Sequence, residues 1–86
     1  MVSKEIEIKN SQGLHARPAT LLVQKATRFK CEIKIEYKGK SANAKSLIGI
    51  LSLGISKGAN IVLSTKGSDE DTALKEIAEL VEGFEG

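Results

Sequence analysis

One histidine occurs in the whole chain, and it stands in Gly13-Leu14-His15-Ala16-Arg17-Pro18-Ala19, beside one of only two arginines. A neutral imidazole is a nucleophile and accepts a phosphoryl group. Glycine before it and proline after it place it where a turn passes into a helix. A helix start presents unpaired amides and the positive end of the helix dipole, so a phosphate on His15 would meet the backbone N–H groups of Ala16 and Arg17 and the forked guanidinium of Arg17. No carboxylate or serine with triad spacing accompanies the histidine. From spacing alone two readings stand: a phosphoryl acceptor, or a histidine that merely begins a helix beside a solvated arginine.

Other chemistry is bounded by counting. One histidine and one cysteine, Cys31, cannot make a Cys/His metal site of ordinary ligand number, and Cys31 has no partner for an intramolecular disulfide. No metal and no cofactor are expected. Cys31 alternates with Ile33, Ile35 and Tyr37, which reads as a buried side chain rather than a reactive thiol. Residues 1 to 66 hold 12 basic and 4 acidic groups, whereas 67 to 86 hold 1 and 7. The basic part suits an acidic protein surface. Nucleic acid would need stacking rings, and Phe29, Tyr37 and Phe84 are the only aromatics, so no direct nucleic-acid partner is expected. The C-terminal acids read mainly as the first turn and outer face of a helix.

The elements that must position these groups follow from periodicity. Val2 to Ile8 alternates as a strand. Apolar residues at 19, 22, 23, 26 and 29, with Pro18 in the first turn, predict a helix from Ala16 or Arg17 to Arg28. Cys31 to Tyr37 and Ser41 to Ala44 form a hairpin about Lys38-Gly39-Lys40. Ser46 stands at the N-cap of a short apolar helix ended by Gly54. Ala59 to Thr65 is a fourth strand. Ser68 to Asp71 resembles a capping box for a last helix bearing Ala73, Leu74, Ile77, Ala78 and Val81 and ended by Gly83.

The order βαββαβα predicts an α+β fold: an open-faced two-layer sandwich with a four-stranded antiparallel sheet covered on one face by three helices. One domain over residues 1–86 is expected from 86 residues at 41% hydrophobic and 28% charged. The longest uncharged run, Ser46 to Ser56, is 11 residues, short of the about 20 that cross a bilayer. No membrane insertion is expected, and the N-terminal residues lack the apolar core of an export signal, which points to the cytoplasm.

Over its whole length the chain resembles HPr, the histidine-containing phosphocarrier of the bacterial phosphoenolpyruvate-dependent sugar phosphotransferase system. The resemblance is carried by Gly13 to Ala19 and by Ala44-Lys45-Ser46-Leu47-Ile48-Gly49-Ile50-Leu51-Ser52-Leu53-Gly54-Ile55. It implies that His15 takes a phosphoryl group from phospho-enzyme I and passes it to enzyme IIA domains, with Arg17 supporting the phosphate. The protein would then be a carrier and not itself an enzyme. The second motif is similar to the form in low-GC Gram-positive bacteria. There the serine matching Ser46 is phosphorylated by HPr kinase/phosphorylase, and the modified protein is a corepressor of catabolite control protein A. This sequence has Leu47, Ile48 and Leu51 where Ile and Met are usual in that motif.

Leu47, Ile48 and Leu51 crowd one short helix and are candidates for partner docking, though packing on the sheet would also suit them. Lys25, Lys45 and Lys57 could steer acidic partners. A monomer is expected. The alternative to a carrier is a chiefly regulatory catabolite-repression protein acting through phospho-Ser46. The related catabolite-repression paralogue lacks the histidine, and His15 argues against that identity.

Overall fold

The computed structural model describes residues 1–84. Its elements are β1 (Val2–Glu7), α1 (Ala16–Ala26), β2 (Glu32–Tyr37), β3 (Lys40–Asn43), α2 (Leu47–Ser52), β4 (Asn60–Lys66) and α3 (Glu70–Glu82). The strands form one antiparallel sheet in the order β1-β4-β2-β3. β2 and β4 alternate between buried and more exposed residues along their length, and β1 does so at Glu5, Ile6 and Glu7. Ile6, Ile33, Ile35, Ile61 and Leu63 turn inward and are buried, while Glu5, Glu7, Glu32, Lys34, Glu36 and Asn60 lie on the opposite face in solvent. Ala19, Leu22 and Ala26 of α1, Ile50 of α2, and Ala73, Ile77, Ala78 and Val81 of α3 close the core over the inward face. This is the open-faced α+β sandwich expected from the order of elements.

Antiparallel pairing fixes which loops meet. Val2 lies opposite Thr65, Glu32 opposite Lys66, and Lys34 opposite Asn43, so these strand ends share one end of the sheet. The segment leaving β1 toward α1 and the segment entering β4 share the other. They are stitched together: the Ile8 N–H donates to the Ala59 carbonyl at 2.8 Å, and the Gly58 N–H to the Ile8 carbonyl at 2.7 Å. The β2–β3 turn takes positive φ at both Lys38 (52°) and Gly39 (79°), the backbone that matches the twist of a two-residue hairpin.

Element ends differ from the sequence expectation where longer-range bonds take over. α1 stops at Ala26: the Thr27 amide makes the last helical bond, to the Val23 carbonyl, and the Arg28 and Phe29 amides then fold back on the Lys25 and Ala26 carbonyls in a tightened turn. The capping box expected at Ser68 to Asp71 is not formed. Asp69 holds the N-cap position of α3, but its carboxylate makes no cap bond. Instead it accepts from the Lys30 amide at 2.9 Å and the Cys31 amide at 3.0 Å, tying α3 to the segment after α1. Glu70 accepts from the Gly67 amide at 3.0 Å and pairs with the N-terminal amine at 3.2 Å. Gly83 ends α3 at φ −92°, in ordinary right-handed backbone. Cys31 is buried as expected, and burial followed by the adjacent Asp69 carboxylate pushes its thiol pKa up, keeping it neutral.

Candidate functional site at the start of α1

Residues 10 to 15 form a braced turn. The Asn10 side chain is buried and donates to the Gly13 carbonyl at 2.6 Å, while the Gly13 amide donates to the Asn10 carbonyl at 3.1 Å. Leu14 drops into the core, and its amide donates to the Ile55 carbonyl at 3.1 Å. The chain therefore enters α1 from a fixed platform built on the segment after α2. His15 is the N-cap residue, in extended backbone (φ −83°, ψ −170°), and its carbonyl accepts the Ala19 amide at 2.9 Å. Its imidazole caps nothing. It is half-buried and free to react.

Three residues precede Ala19 in the first turn, and one of them, Pro18, has no amide N–H to offer. The Ala16 and Arg17 N–H groups remain, unpaired among the described residues, at the positive end of the helix dipole. Proline at this position leaves two unpaired donors on the residues that follow the histidine. Ala16 and Arg17 are exposed, and the Arg17 guanidinium has no ion-pair partner among the described residues. A nucleophilic imidazole, two free amides and a free guanidinium can accept a phosphoryl group and hold its oxygens.

The site opens on a cleft of about 490 Å³ that Gln12, Leu21 and the C-terminal end of α3, Gly83 and Phe84, line together with His15, Arg17 and Pro18. The sequence reading did not single out Gln12, Leu21 or Phe84. Leu21 carried a signal: an apolar residue one position off the buried stripe of α1, and it is 42% exposed.

Ser46 lies on α2, which packs against α1. It is the N-cap, and its Oγ accepts the Gly49 amide at 3.1 Å. Leu47, Ile48 and Leu51 do not pack into the core; they are 36%, 81% and 40% exposed, while Ile50 on the opposite side of the helix is fully buried. With Leu21 they are the large apolar side chains exposed within the helices. Two of the proposed steering lysines are engaged elsewhere. Lys25 pairs with Glu76 at 2.9 Å, and the Lys45 ammonium donates to the Phe29 carbonyl at 2.8 Å. Lys57 remains exposed. No group of three or more potential metal ligands occurs among the described residues, and no helix is long and apolar enough to cross a membrane.

Comparison with known proteins places these features in a group. The family model described as the PTS HPr component phosphorylation site matches residues 2–83. The HPr-like protein Crh of Halalkalibacterium halodurans is 49% identical over 82 residues, covering 95% of this chain and 98% of that one. The crystal structure of HPr-C-His from Thermoanaerobacter tengcongensis aligns with a TM-score of 0.92 at 50% identity, over 95% of this chain and 92% of that one. A dimer of HPr from the same organism aligns at 0.76, over 95% and 94%. The phosphocarrier protein HPr of Bacillus anthracis aligns at 0.89 with 48% identity, over 93% and 95%.

Proposed function

Because the chain belongs to the HPr family of phosphocarriers, we propose that it accepts a phosphoryl group on His15 from phospho-enzyme I and donates it to enzyme IIA domains of sugar permeases. The observation that carries this reading is the pair of free amides on Ala16 and Arg17 beside an imidazole that caps nothing. An unprotonated ring nitrogen of His15 attacks phosphorus; the new P–N bond forms as the bond to the donor's own histidine breaks, and that nitrogen leaves with the electron pair. The Ala16 and Arg17 amides and the Arg17 guanidinium take up the phosphoryl oxygens. Transfer to enzyme IIA reverses the roles. The protein is a substrate of its partners and turns over nothing itself. It works in the cytoplasm as a monomer, without cofactor or metal, and docks through Leu47, Ile48 and Leu51.

Ser46 is the regulatory position. HPr kinase/phosphorylase modifies its hydroxyl, and the modified protein binds catabolite control protein A. The identity to an HPr-like protein Crh favours a second reading, in which regulation through phospho-Ser46 is the chief role. His15 favours the carrier.

Incubation with enzyme I and phosphoenolpyruvate, followed by intact mass, separates the two. The carrier gains one phosphate that is labile to acid and stable to base, and His15→Ala abolishes it. A chain that gains none, while Ser46 is still modified by the kinase, is the regulatory protein. The monomer is checked by sedimentation at working concentration.

A further inference from the structure

At the end of the sheet away from His15, a second cleft of about 390 Å³ opens between the start of β2 and the end of β3. Its polar lining is Lys30, Lys34 and Lys45 with Glu32, Ser41 and Asn43. The positive charge there is not neutralised internally. Glu32 is the single carboxylate in the lining against three lysines, and it forms no ion pair among the described residues. The nearby Asp69 spends both carboxylate oxygens on the Lys30 and Cys31 amides. None of Lys30, Lys34, Lys45 or Lys66 forms an ion pair among the described residues.

The donors are also partly fixed. The Lys45 ammonium is held by one bond to the Phe29 carbonyl, leaving its remaining N–H groups for a ligand. Asn43 accepts the Lys45 amide on its carbonyl oxygen at 2.9 Å, which leaves its NH₂ group free. Ser41 adds an exposed hydroxyl.

We propose that this cleft binds a small phosphate ester, its phosphate held by Lys30, Lys34 and Lys45 and its hydroxyl groups by Ser41 and Asn43. The volume is that of a small-molecule site. An acidic protein segment suits it poorly, because the sheet face beyond the cleft carries Glu5, Glu7 and Glu36 and would repel one. A nucleic acid would need stacking rings, and no aromatic side chain lines the cleft. The site is independent of phosphoryl transfer, since it sits at the opposite end of the strands from the His15 turn.

Glycerol phosphate titrated into isotope-labelled protein at low ionic strength, followed by amide NMR shifts, tests the proposal. Saturable shifts are expected on residues 30–34 and 41–45, separate from any on Ala16 and Arg17, and glycerol alone should produce none. Lys30→Gln/Lys34→Gln should weaken binding at this cleft by about tenfold while leaving the Ala16 and Arg17 response and the melting temperature unchanged. Both substituted side chains are exposed, so the variant folds. Inorganic phosphate distinguishes an ester site from a bare anion site: weaker binding than glycerol phosphate supports the hydroxyl contacts, and equal binding removes them. Shifts confined to Ala16 and Arg17, or a double variant that binds as well as the parent, would overturn the assignment.

Discussion

Gly13 rests directly on Ile55: a β-carbon at this position would meet the Ile55 carbonyl oxygen and stand 2.6 Å from Ser56 Cα, and its φ of +67° is itself unfavourable for any side chain. The same Ile55 carbonyl accepts the Leu14 amide and sets the height at which His15 enters α1. A methyl group therefore cannot be added without lifting the turn from the acceptor that positions it. We expect Gly13→Ala to destabilise the protein by roughly 1–3 kcal/mol and to slow His15 phosphorylation, although the change touches neither His15 nor Arg17. Urea unfolding and the transfer rate from enzyme I measure the two effects. A destabilised variant with an undiminished rate would mean that the platform does not position the histidine.

Ile48 and Ile50 make a controlled comparison on one short helix. Ile48 is 81% exposed and Ile50 is fully buried. Ile48→Glu should change stability by no more than about 0.5 kcal/mol yet slow transfer to and from partners, because it places a charge on a surface proposed to dock apolar groups. Ile50→Ala should cost roughly 2–5 kcal/mol and affect transfer only through loss of folded protein. An Ile48→Glu variant with wild-type transfer kinetics would remove α2 from the docking surface.

Ser46 carries a structural and a proposed regulatory role on one hydroxyl. Its Oγ caps α2 through the Gly49 amide, so Ser46→Ala should lose about 1 kcal/mol. Phosphorylation adds about −1.5 to −2 charges where helix amides favour them, and the fold should hold or gain slightly. Beside Leu47, Ile48 and Leu51 the same charge opposes docking on an acidic partner, so phosphorylation of His15 by enzyme I should slow. Ser46→Asp should act in the same direction and less strongly. Rates and melting temperatures of modified and unmodified protein decide it: equal rates refute the shared docking surface, and a slow rate with a lowered melting temperature would trace the effect to unfolding.

The sequence displayed what depends on neighbours in the chain. Alternation in β1, β2 and β4, the stripe on α1 from Ala19 to Ala26, and the Ser46 cap are all local, and each element appears where its pattern lies. The exposure of Leu47, Ile48 and Leu51 was half legible, since a six-residue helix cannot bury every apolar residue around its axis. The cleft beside His15 was not legible, because Gln12, Leu21 and Phe84 come from three segments that only the fold brings together. Asp69 misled for the same reason. A capping box is a local pattern, and bonds to amides of residues 38 and 39 positions away displaced it.

That displaced carboxylate gives the protein a predictable response to acid. The bond from the Lys30 amide, and then those from Cys31, hold the Asp69 carboxyl below its usual range, and the Gly67 amide followed by the N-terminal amine does the same for Glu70. Both folded-state pKa values lie below the unfolded ones, which are near ~3.9 for Asp and ~4.3 for Glu. As pH falls through that range the unfolded chain takes up protons before the folded one, so these groups contribute stability that is fully present above about pH 5 and drains away through about pH 4 and below. Asp69→Asn removes one of the two. Its single carbonyl oxygen can accept one of the two amides, and its NH₂ group faces the other as donor against donor. The variant should therefore melt lower at pH 7, where the carboxylate is fully ionised, and the gap to the parent should narrow as both are titrated below pH 4, where the parent's own carboxylate is being protonated. Thermal unfolding of the two proteins across pH 2 to 7 measures that gap. A gap of constant size would show that Asp69 acts through packing alone, with its charge contributing nothing to the tie between α3 and the segment after α1.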